Sequence, residues 1–94
     1  MGESVVRVRA VVHGRVQMVG FRAFVSSHAG ALGLAGTVGN QPDGTVEAVL
    51  EGSKPDVERM LDLLRQGPSH ARVERVDVEY SAPTGRLPAM MVAT

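Results

Sequence analysis

Cysteine is absent and so is tryptophan, and two phenylalanines and one tyrosine are the only aromatic side chains among 94 residues. Without cysteine there is no disulfide, no thiolate metal ligand and no cysteine nucleophile, and the redox compartment stays open. Long apolar runs are missing too; none approaches the roughly 20 residues that cross a bilayer. The opening "MGESVVRVRA" has no apolar segment of the secretory kind. Val6 stands where a myristoylation signal wants Ser or Thr. No membrane association is expected, and a soluble, cytoplasmic protein is. Net charge is lacking as well: ten Lys and Arg balance ten Asp and Glu, which argues against a general nucleic-acid binder. The length fits a single domain over residues 1–94, with a real but modest core.

What charge there is lies unevenly. Residues 1–42 hold Arg7, Arg9, Arg15 and Arg22 against Glu3 alone, while residues 43–94 hold six Lys and Arg against nine Asp and Glu. The imbalance is either the scatter of a short chain or the mark of an anion site in the first half.

Hydrophobic periodicity sets out the elements. "VVRVRAVV" at 5–12 alternates, with Val6, Val8, Ala10 and Val12 on one face, and predicts a half-buried strand. From Phe21 the period becomes helical through Phe24, Val25, Ala29 and Leu32, with Gly33 as the stop. "LAGTVGN" at 34–40 reads as a glycine-weakened second strand and "QPDG" at 41–44 as a turn. A third strand is expected over 45–51, with Val46, Ala48 and Leu50 inward. Ser53 then caps a second helix whose stripe is Val57, Met60, Leu61 and Leu64, ended by Gly67 and Pro68. In a fourth strand at 71–80, Val76, Val78 and Tyr80 alternate. Val73 is out of phase, which a bulge near Glu74 and Arg75 would repair. Residues 87–93 could add a short fifth strand at an edge.

The order β-α-β-β-α-β is that of the ferredoxin-like α+β sandwich, an antiparallel sheet with two helices on one face. In that fold the loop after the first strand and the end of the second lie at one end of the sheet, about 10 Å apart with the third strand between them. Arg22 at the start of the first helix and Asn40 at the end of the second strand would face one small volume. The free N–H groups of the helix start open into it, an anion site before any side chain is counted. A cation at a helix N-terminus opposes the macrodipole, so Arg22 suits that place only beside an anion. Its guanidinium pairs well with phosphate oxygens. On local sequence alone, Arg22 pointing to solvent stays open.

"GRVQMVGFR" at 14–22 resembles the first signature of the acylphosphatases, G-x-V-Q-G-V-x-F-R. "GTVGNQPDGTVEAVLEG" at 36–52 resembles the second, G-x-V-x-N followed by D-G-x-V and E-G, and "ARVERVDVE" at 71–79 is similar to the family's last major strand. The resemblance implies the ferredoxin-like sandwich and a hydrolase that splits acyl phosphates into carboxylate and inorganic phosphate, with no metal and no cofactor. It implies that Arg22 and the loop Arg15, Val16, Gln17, Met18, Val19, Gly20 and Phe21 hold the phosphoryl group, and that Asn40 orients the attacking water. The expected partners are a small-molecule acyl phosphate or inorganic phosphate, with no nucleic acid and no membrane, and the expected state is a monomer.

Three departures from the family pattern stand out. Met18 replaces a signature glycine. Either it strains a left-handed position and tilts a loop N–H, or the loop adjusts and Met18 packs or faces solvent. Thr37 stands where the family often has an aromatic residue, and Gly39 where it often has a basic one. Gln17 is expected to brace the loop. His13, His28 and His70 carry no expected role, and Asp43 belongs to a turn. The competing reading is an anion-binding or regulatory module on the same fold, with little turnover because of Met18. An RNA-binding sheet would need stacking aromatics in "TVEAVLE", which has none, and a metal chaperone would need C-x-x-C.

Overall fold

The computed structural model describes residues 4–93; Glu3 lies outside them. The elements run β1 (Val5–Arg15), α1 (Phe21–Ala31), β2 (Ala35–Asn40), β3 (Val46–Ser53), α2 (Lys54–Gln66), β4 (Arg72–Ser81) and β5 (Met91–Val92). The sheet order is β4-β1-β3-β2-β5. β1 pairs antiparallel with β3 and β4, and β2 antiparallel with β3.

Alternation along the strands decides what is buried. Val8, Ala10 and Val12 of β1, Val38 of β2, and Val46, Ala48 and Leu50 of β3 are all buried. Against them lie Phe21, Val25 and Ala29 of α1, one residue per turn on a single stripe. Val57, Met60, Leu61 and Leu64 of α2 complete the core. Burial of each of the larger side chains stabilises by about 1.5–3 kcal/mol before chain entropy is charged. α1 ends in a two-bond cap around left-handed Gly33, whose N–H donates to Gly30 O while that of Leu34 donates to Ala29 O, both at 3.0 Å. Ser53 is the N-cap of α2, but its hydroxyl donates to Asp56 Oδ2 at 2.9 Å rather than accepting from the backbone.

β4 carries the expected bulge. His13 pairs with Arg75 and Gly14 with Val73, which leaves Glu74 as the extra residue. Tyr80, in register with Val76 and Val78, is 48% exposed; β4 is an edge strand, and the α2 residues beside Tyr80 are Leu61 and the charged Glu58, Asp62 and Arg65. The glycines of β2 also read differently in place. At Gly36 (φ 150°) a Cβ would sit 1.8 Å from Val49 O, so β3 approaches too closely for any side chain.

The fifth strand is two residues long and parallel to β2, so the sheet is mixed rather than wholly antiparallel. Parallel pairing follows from its route. β4 and β5 lie on opposite edges, and residues 82–90 cross between them as a strap. Buried Glu51 holds this strap, accepting from the N–H of Gly85 at 2.7 Å and of Thr84 at 3.0 Å. Arg7 Nη1 donates to Thr84 Oγ1 and Gly36 N–H to Pro88 O. The Gly85 N–H above all, with help from Thr84 and Arg7, holds the Glu51 carboxyl below its usual 4.5. A lowered folded-state pKa stabilises above the unfolded value, and that contribution is lost as pH falls through the folded one. The Tm of Glu51→Gln is therefore expected below wild type at pH 7, with the gap closing as pH drops below 4.5. A pH series of melting curves on the two proteins checks this.

Candidate active site

β1 ends at Arg15 and α1 starts at Phe21, so five residues must turn the chain from sheet to helix. Two of them take left-handed backbone: Met18 at φ 62° and Gly20, the N-cap of α1, at φ 80°. Val16 is buried and Val19 packs on the core, and together they pin the loop. Gln17 ties it down: its Nε2 donates to Gln41 O at 2.8 Å and Thr45 O at 2.9 Å. The loop after β1 is thus fixed to the turn after β2. That turn is fixed in its own right, since Asp43 Oδ1 accepts from the Thr45 hydroxyl and N–H. The Thr45 hydroxyl is the main reason that the Asp43 carboxyl is held below its usual value.

A cavity of about 340 Å³ opens where these segments meet. The loop supplies Val16, Met18 and Gly20, and α1 supplies Phe21, Arg22 and Ala23. Asn40 closes the end of β2, and Val92 comes from β5. Arg22 and Asn40 therefore share one cavity. Of the loop residues singled out in the sequence, Arg15 is exposed to solvent, while Gln17 and Val19 are turned away as described.

The electrostatics favour an anion. The first turn of α1 contains no acidic residue, and no side chain caps it. Among the described residues Arg22 has no carboxylate partner and no side-chain hydrogen bond. A cation placed against the positive end of a helix is unfavourable by about 0.3–1 kcal/mol, and a bound anion reverses the sign for both. His13 lies outside the cavity, 3.0 Å from Asp77, whose carboxyl is held low chiefly by Arg75. His28 rests against the Phe24 ring, and His70 is exposed. Among the described residues no three His, Asp or Glu side chains gather as metal ligands.

Met18 keeps the left-handed backbone that a signature glycine would take, and its side chain is 98% exposed. The position is left-handed and the methionine stands out in solvent. An L-residue there costs about 1–2 kcal/mol, while glycine costs about 0.5–1 kcal/mol in unfolded-chain entropy. Met18→Gly is therefore expected to stabilise by about 0.5–1 kcal/mol, read as a raised Tm in thermal unfolding. Sequence reasoning missed Val92 and Ala23 as lining residues. The signal for Val92 was the expected fifth strand at the edge, which comes to lie beside β2.

Comparison with known proteins gives a consistent picture. The family model described as Acylphosphatase matches residues 8–88. An acylphosphatase of Thermus thermophilus is 51% identical over 79 residues, covering 84% of this chain and 90% of the relative. One of Deinococcus radiodurans is 49% identical over 79 residues, covering 84% and 91%. The crystal structure of acylphosphatase from Bacillus subtilis superposes with a TM-score of 0.91 at 31% identity, covering 95% of this chain and 99% of that one.

Proposed function

This chain belongs to the acylphosphatase family, hydrolases of acyl phosphates, and from that premise we propose that Arg22 and the loop amides over 15–21 bind the phosphoryl group while Asn40 orients the attacking water. The observation that carries this reading is the shared cavity. Arg22, a cation without a carboxylate partner among the described residues, lines it together with Asn40 at the open N-terminus of α1.

The chemistry asks for little else. The water oxygen attacks phosphorus and the bond from phosphorus to the acyl oxygen breaks, its electron pair leaving on the carboxylate. That leaving group needs almost no protonation near neutral pH, so a general acid is dispensable. Charge on the phosphoryl oxygens and placement of the water make up most of the barrier. Asn40 is a poor base, so the water's proton passes to a phosphoryl oxygen of the substrate. No step calls on a metal or cofactor. In this reading the protein works as a monomer with a single domain. Its place of work in this reading is the cytoplasm, and no helix among the described residues is long and apolar enough to cross a membrane.

The alternative is an anion-binding or regulatory module with low or no turnover because of Met18, which holds a left-handed position with its side chain in solvent. The test is hydrolysis of benzoyl phosphate by the purified protein in excess chelator, with Arg22→Ala and Asn40→Ala beside it. Turnover that survives chelation and collapses in both variants is expected. A folded wild type that binds phosphate but releases no benzoate in chelator would overturn the mechanism.

A further inference from the structure

We propose that Met18 and Val92 form the acyl-group subsite, so that this enzyme favours acyl phosphates whose acyl part is apolar, aryl above all, over those carrying a second anionic group. The proposal rests on the assignment of Arg22 to the phosphoryl group. With phosphate held at the start of α1, the acyl part must project toward the mouth of the cavity. Met18, Ala23 and Val92 are the exposed apolar side chains that border it.

The two main groups differ in what holds them. Val92 is 43% exposed yet sits on a fixed wall, since β5 pairs with β2 through Val38 and the Ala93 N–H donates to Val38 O at 2.8 Å. Met18 is 98% exposed at φ 62° and supports nothing in the fold. An unbranched thioether on a strained, solvent-facing position is a poor structural choice. It is a good mobile contact for an aromatic ring, which methionine sulfur favours. An acyl group carrying its own carboxylate meets methyl groups there. Arg22 is the single charged residue lining the cavity, and the phosphoryl group already engages it.

The test compares kcat/KM for benzoyl, acetyl and succinyl phosphates in wild type, Met18→Gln, Met18→Leu and Val92→Ser. The benzoyl-to-acetyl ratio of each variant is divided by that of wild type, which cancels the leaving-group chemistry. Met18→Gln and Val92→Ser are each expected to lower that ratio about fivefold, mainly through KM for benzoyl phosphate, while Met18→Leu keeps it. Succinyl phosphate is expected to gain on benzoyl phosphate in Met18→Gln. Unchanged ratios in both Met18→Gln, which alters only an exposed side chain, and Val92→Ser would overturn the subsite. Wild-type turnover of acetyl phosphate by Arg22→Ala would instead overturn the phosphate assignment, whatever the ratios show.

Discussion

Arg22→Ala is expected to lower kcat/KM for benzoyl phosphate by at least about a thousandfold. Loss of one preorganised donor to a developing charge costs about 10²–10³ in rate. A guanidinium supplies two parallel donors and a full charge, so its removal also weakens ground-state binding. Both kcat and KM should therefore move, and inhibition by inorganic phosphate should weaken with them. Stability should move the other way. The same substitution removes a cation from the positive end of α1, where among the described residues no carboxylate offsets it, a gain of about 0.3–1 kcal/mol. Steady-state kinetics beside thermal melts read both signs. A variant that lost activity and stability together would point to a structural arginine. Arg22→Lys should recover only part of the rate, because an ammonium cannot present the paired fork.

Asn40→Ala should show a different split. Its amide is assigned to the water rather than the phosphate, so kcat is expected to fall about 10²–10³-fold while KM and the inhibition constant for inorganic phosphate stay close to wild type. Asn40 ends the strand opposite Val46 and is only partly buried, and thermal melts beside the kinetics separate a structural loss from a catalytic one. Asn40→Asp is the sharper control. It preserves shape but sets a carboxylate beside a dianionic phosphoryl group, so KM should rise as well as kcat fall. Equal loss of kcat and phosphate affinity in Asn40→Ala would move Asn40 from the water to the phosphate.

Legibility from sequence followed how local the physics is. β1, β3 and both helices have strict periods, and Gly33 marks the end of α1 and Glu74 the bulge of β4 at the positions where the backbone needs them. Arg22 and Asn40 were placed in one volume by topology, and the structure brings both to one cavity. The strap over 82–90 was not legible. Its anchor is a carboxylate 33 residues from Thr84, and no period links a buried glutamate to two distant N–H groups. Glu51 sits in an alternating strand where a charged residue reads as solvent-facing, and only the crossing segment covers it. The alternation of Val76, Val78 and Tyr80 was legible and holds, but the exposure of Tyr80 was not, since it depends on how far the helices roof an edge strand. The exposure of Met18 depended on whether the loop would yield to a side chain, which is a contest of strain energies rather than a pattern.

The position of β1 has a kinetic side. The first strand of the chain lies inside the sheet, pairing with β3 on one flank and with β4 on the other, where Arg7 meets Ser81. Neither flank is local. Contact order is therefore high for so short a polypeptide, and loop-closure entropy must be met before the pairing repays it. Folding should run on the slower side for a chain of this size, its rate set by that closure. Until β4 arrives, β1 presents an unpaired, valine-rich edge, open to a second nascent molecule. The alternating arginines at 7 and 9 on that strand are then gatekeepers during assembly, before they are anything else.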